Sequence, residues 1–261
     1  MEPATVMILR PMRNGDPTYW TYQWGQRAVN IAKSLGYKVI DIQKENCSYE
    51  NVSDAIKKYQ PKLIASFSHG CVNSLQGQKT CMIAKKYEVS ELVDMALMGY
   101  ADGDENKIKI ASRILEPLGY ISNTNTKECC RLSGDPCDLY CLYPTNVDLL
   151  KEKIVFTTAC FSAAGLGRCA IAYGAYSYVG SEDLFLFPID SRNSQDMYGN
   201  IQLIGFKELL LGHTVGQAEM AMIAEEDKLI RKFKRIKYIA LTLLWNKLNR
   251  RVLGDKNSTI Y

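Results

Sequence analysis

Two periodicities alternate over the first 70 residues. Val6 to Leu9 is a short unbroken apolar run and a strand candidate. A turn-rich loop from Arg10 to Pro17 follows. Ala28, Ile31, Ala32 and Leu35 then recur at i, i+3, i+4 and i+7, which predicts a helix stopped by Gly36. Lys38 to Ile42 reads as a second strand. Val52, Ala55, Ile56 and Tyr59 repeat the helical spacing, and Pro61 lies just beyond them. A third strand runs from Lys62 and ends at His69. Strand, helix, strand, helix, strand in this order predicts a parallel sheet with right-handed crossovers.

The regular pattern stops near Cys71 and resumes near Leu150. Between them lie an amphipathic segment (Ile108, Ala111, Leu115, Leu118), an acidic turn from Asp102 to Glu105, and a cluster of cysteines. This stretch, 71–150, reads as a long insertion over the sheet edge rather than an independent domain. Ile154 to Thr158 is a fourth strand, Ala163 to Tyr173 a helix of small residues, and Tyr176 to Val179 a fifth strand. The remainder predicts helices over Ile201 to Leu211 and Val215 to Ile230, then a basic helix over 228–251. The expectation is one α/β domain spanning 1–261.

Composition narrows the class without naming a function. Hydrophobic residues make up 47% and charged residues 23% of the 261 positions, so a large core is affordable. The net charge of +4 is too small to argue for nucleic acid, and no nucleic-acid-binding motif is present. Neither a signal peptide nor an apolar run long enough for a transmembrane segment is visible, so the chain reads as cytoplasmic. In that compartment its nine cysteines favour thiols, metal ligands or a catalytic thiolate over a disulfide framework.

The candidate chemistry sits at two strand ends. One apolar run closes on Ser68-His69-Gly70 and another on Thr158-Ala159-Cys160. Parallel strands deliver their C-terminal ends to the same sheet edge, where ligands bind. A histidine and a cysteine meeting there form a nucleophile with its base. Gly70 lets backbone approach a substrate closely, and Ala163, Ala164 and Gly165 keep the ground beside Cys160 open. A helix starting at Ala163 would point its N-terminal dipole at the thiol. His213, at a helix break, is the other histidine and reads better as a cap or surface residue.

These residues resemble the caspase-like cysteine peptidases, and the gingipain-type branch most. The resemblance rests on Ser68-His69-Gly70, on Thr158 to Gly165, on the passage from Ala172 to Gly180, and on Leu253-Gly254-Asp255. It covers roughly residues 1–70 and 150–190 plus that tail. Thr-Ala-Cys-Phe stands where caspases proper carry Gln-Ala-Cys-Gly. The resemblance implies a caspase-like open, mostly parallel sheet flanked by helices, with an insertion between the His and Cys strands. It implies Cys160 as nucleophile, His69 as general acid and base, and an oxyanion hole from the N–H groups of Gly70 and Cys160. No cofactor is required, and the partner is a protein or peptide substrate. In this clan a charged pocket selects the residue before the scissile bond. The candidates are Arg13 and Asp16 after the first strand and Glu182, Asp183, Asp190 and Arg192 after the fifth. Acids outnumber arginines four to two, which leans toward cleavage after Arg or Lys.

Other features keep further readings open. Cys129, Cys130, Cys137 and Cys141 are a candidate structural metal site, although adjacent cysteines seldom both ligate one ion; a redox latch and ordinary packing thiols are the alternatives. The basic helix suits a solvated face over an apolar one, or an anionic partner such as a membrane surface, a nucleic acid or an acidic protein. Against an active peptidase stand a latent caspase-like binding or signalling module, with a regulatory protein partner, and a metal or redox switch built on the cysteines.

Overall fold

A computed structural model describes residues 4–12, 18–68, 70–71, 74–76, 140–142, 144–188 and 192–261. In chain order these residues form β1 (Thr5–Arg10), α1 (Thr18–Ser34), β2 (Lys38–Gln43) and α2 (Tyr49–Tyr59). Then come β3 (Leu63–Ser66), β4 (Gly70–Cys71), β5 (Ser74–Gln76), β6 (Tyr140–Leu142) and a 3-10 stretch, Pro144–Leu150. The C-terminal part adds β7 (Ile154–Thr157), α3 (Leu166–Ala172), β8 (Ser177–Ser181), α4 (Arg192–Leu210), α5 (Val215–Lys232), α6 (Lys237–Asn249) and β9 (Arg250–Gly254).

The architecture is α/β, with an open six-stranded sheet in the order β2-β1-β3-β7-β8-β9. The first five strands are parallel to their neighbours and β9 is antiparallel to β8. Its two faces follow from side-chain alternation along each strand. Val6, Ile8, Leu63, Ala65, Ile154, Phe156 and Val179 pack with α1, α4, α5 and α6. Met7, Leu9, Ile64, Val155 and Tyr178 pack on the other face with α2, α3 and the 3-10 stretch. Apolar side chains thus dominate both faces of the central strands β1, β3 and β7, which is why these read as continuous runs.

The two early helices end where expected. α2 is capped at its start by Ser48, whose side chain accepts from the Asn51 N–H, and stops at Gln60 in a left-handed conformation. Gly36, at φ +84°, follows α1.

Three expectations change. The third strand ends at Ser66, three residues before His69. The helix expected from Ala163 begins at Leu166 and is only seven residues long. The single basic helix expected over 228–251 is not one helix. α5 ends at Lys232, the chain turns, α6 runs Lys237–Asn249, and Arg250 and Arg251 begin β9. That last change has a physical source: Arg250 to Gly254 pairs residue by residue with Ser181 to Ser177, and this closes the sheet edge.

Within the expected insertion, β4, β5 and β6 form a small second sheet in that order. Leu142 sits fully buried in the core under α2. The amphipathic segment Ile108–Leu118, the acidic turn, and Cys129, Cys130 and Cys137 lie outside the described residues.

Candidate functional site

The carboxyl edge of the sheet collects the chemistry. β3 and β7 are direct neighbours, with Ser66 opposite Thr157. The pairing continues one step beyond the strands, where the Thr158 N–H donates to the Ser66 carbonyl at 3.1 Å. Cys160 follows Thr157 by three positions, and His69 follows Ser66 by three. His69 itself lies outside the described residues. Next to it, the Ser68 and Ser66 hydroxyls are buried and 2.8 Å apart.

Cys160 is half-exposed and begins a tight turn rather than a helix. Phe161 adopts φ +54°, a left-handed conformation costly for a residue with a side chain, and it is held there by its surroundings. The Phe161 N–H donates to the Asp183 carbonyl at 3.0 Å and the Ala163 N–H to Ser181 at 2.9 Å. The Ser162 hydroxyl donates to the Ala159 carbonyl at 2.9 Å. Beneath it is Gly180, where a Cβ would come within 2.6 Å of the Ser162 oxygen and 2.8 Å of the Tyr178 ring. The turn at Cys160 therefore seats on β8 only because position 180 has no side chain.

The amides around the thiol divide into paired and unpaired. The N–H of Ala159 is taken by Thr157 Oγ1 at 3.0 Å and that of Phe161 by Asp183. Among the described residues the Cys160 N–H has no acceptor. The expected helix-dipole contribution is lost, however, because α3 starts six residues after the thiol.

In its place stands a backbone donor that periodicity did not reveal. Leu184 to Pro188 belongs to no helix or sheet ladder. The Phe185 N–H donates to Cys160 Sγ at 3.2 Å, and the Phe185 carbonyl lies 3.9 Å from the same sulfur. The opposite edge of this segment is fixed to α6. Asn246 accepts from the Leu186 N–H at 2.8 Å and donates to the Leu186 carbonyl at 2.6 Å, while Trp245 Nε1 donates to Leu184 at 2.9 Å. Phe185 and Phe187 lie edge-on to the buried Trp24, at 6.4 and 5.0 Å. The available signal was the apolar run Leu184-Phe185-Leu186-Phe187-Pro188, which carries no chemistry until it is folded against Cys160.

The chain matches no protein-family model and has no significant match among curated proteins.

The expected specificity residues separate. Glu182 is held between Arg168 at 3.0 Å and Arg251 at 2.7 Å, so its charge is already countered. Asp183 is half-buried, has no ion-pair partner among the described residues, and accepts from the Leu184 N–H at 2.6 Å. Burial raises its pKa above the ordinary carboxyl value; the Leu184 N–H opposes this and neighbouring Glu182 adds to it. Arg192 opens α4, but its side chain, like Arg13, Asp16 and Asp190, lies outside the described residues.

Arg10, which ends β1 at the same edge, was not anticipated. It is 2% exposed and clamps Asp41 of β2 through Nε and Nη2, at 2.7 and 2.6 Å. Burial works against its charge, but the Asp41 carboxylate wins and its pKa is raised. His213 lies at the opposite end of the sheet. Its ring pairs with Glu208, and neighbouring Val215 donates to Ser258 beyond β9. No metal-binding cluster occurs among the described residues, which exclude the side chain of Cys141 as well as the other three cysteines. None of the described helices is long and apolar enough to cross a membrane.

Proposed function

We propose that this chain is an intracellular cysteine endopeptidase of the caspase-like, gingipain-type kind, with Cys160 as nucleophile and His69 as general acid and base. The observation that carries the reading is the register of β3 against β7: Ser66 faces Thr157, and each reactive residue stands three positions beyond that pair. An open, mostly parallel sheet flanked by helices is the framework that the resemblance implies.

The Cys160 thiolate attacks the peptide carbonyl, and the oxyanion forms against the N–H groups of Gly70 and Cys160. His69 gives its proton to the departing amine as the C–N bond breaks, leaving a thioester. Water then attacks the thioester, His69 takes its proton, and the acid leaves with the thiolate restored. The Phe185 N–H supports the sulfur anion at both stages. Asp183 carries the proposed preference for Arg or Lys, because Glu182 is already paired.

The test is labelling with peptidyl electrophiles ending in Arg, Lys, Asp or Asn, followed by mass mapping, beside turnover by Cys160→Ala. The expected result is an adduct on Cys160 with one preferred residue, and loss of turnover in a Cys160→Ala protein that still folds. Labelling of half-exposed Cys169 but not of Cys160 would support the latent module instead. Turnover at the wild-type rate without Cys160 would end the proposal.

A further inference from the structure

Nine basic residues and no acid lie between Lys228 and Arg251. Folding sorts them into two groups. Lys228 pairs with Glu225 at 3.0 Å, Lys247 with Asp227 at 2.5 Å, Arg250 with Glu226 and Arg251 with Glu182. The other five are Arg231, Lys232, Lys234, Arg235 and Lys237. All five are exposed and have no acidic partner among the described residues. They crowd into the last turn of α5, the connecting turn and the first residue of α6.

Helix stability does not account for this concentration. Arg231 and Lys232 complement the C-terminal dipole of α5, but Lys234, Arg235 and Lys237 stand at the N-terminus of α6, where cations are unfavourable. The N-cap of α6, Ile236, makes no side-chain capping bond. The same turn also exposes apolar surface: Ile236 is 41% and Tyr238 45% accessible. The Lys247–Asp227 pair ties α6 to α5, and the turn is the tip at which the two helices join.

We propose that this tip is a docking surface for an anionic phospholipid bilayer. Its five exposed cations, which have no acidic partner among the described residues, are drawn to acidic headgroups, and Ile236 and Tyr238 enter the interfacial layer. A nucleic acid would use the cations but gives an exposed isoleucine nothing to bind. The association is peripheral, and it stands or falls independently of peptidase activity.

The test is co-sedimentation of the full chain with phosphatidylcholine vesicles containing or lacking roughly a third phosphatidylserine. Binding is expected only with phosphatidylserine and is released by high salt. The double substitution Lys234→Glu, Arg235→Glu should weaken it by about tenfold or more. Ile236→Ser with Tyr238→Ser should weaken it by about tenfold while leaving the salt dependence in place. Both variants change exposed side chains only, and circular dichroism verifies their fold. Absence of binding to the anionic vesicles at low salt overturns the proposal. So does binding indifferent to the loss of Ile236 and Tyr238, or displacement of the vesicles by an oligonucleotide at equal charge concentration.

Discussion

At Asp183 a carboxyl is half-buried one residue from Glu182, and burial raises its affinity for protons. Between its unfolded value of about 3.9 and its higher native value, the native state holds a proton that the unfolded state has released. Stability therefore falls as pH rises through that interval, and the cost is fully present above it. Asp183→Asn keeps an acceptor for the Leu184 N–H and removes the cost. It should raise the melting temperature by about 2–4 °C at neutral pH and leave it unchanged near pH 3, as thermal melts at both pH values would show. The position of Cys160 just beyond a buried strand was legible at this scale, because the apolar run before it is a local pattern. Arg10 was not, because an arginine at a strand end reads as a loop charge until Asp41 is placed beside it.

Elements were legible where one periodicity was enough to define them. α1, α2, β1 and β2 follow from spacing and stop residues because each buries a face of its own length. The segment after Cys160 did not, since its small residues fit a helix or a turn equally well. The choice went to the turn because the N–H groups of Phe161 and Ala163 found carbonyls on the chain leaving β8. The Leu184–Pro188 segment belongs to the same class: Asn246 and Trp245 of α6, far along the chain, hold the backbone of Leu186 and Leu184. Replacing Asn246 with Leu removes both bonds to Leu186 and loosens the Phe185 N–H from the thiol. Alkylation of Cys160 by iodoacetamide should slow by about tenfold at neutral pH. Cys169 in the same protein is the internal control, and an unchanged Cys160 rate would refute this role for Asn246.

The whole molecule depends on a closure that spans the chain's C-terminal third. β9 completes the sheet, and Arg250 at its start donates to Glu226 of α5 at 2.7 Å. The carboxylate is 1% and the guanidinium 7% exposed, so neither has solvent to fall back on. Removing one partner leaves the other charge buried and uncompensated. Glu226→Ala should therefore cost about 3–5 kcal/mol, read as a fall in the denaturant midpoint. Glu226→Ala with Arg250→Met should recover part of that loss.

By itself the sequence determined the α/β class, the early strand and helix order, and the two apolar runs that become β3 and β7. Those features rest on local periodicity and on the burial of parallel strands. The neighbourhood of β3 and β7, the return of the C-terminus as β9, and the hold of α6 on Phe185 came from tertiary structure alone. Each joins residues far apart in sequence, and no local pattern records which distant backbone will satisfy a given N–H or which acid will meet a given arginine. The same sorting left five cations of the basic stretch without an acidic partner among the described residues.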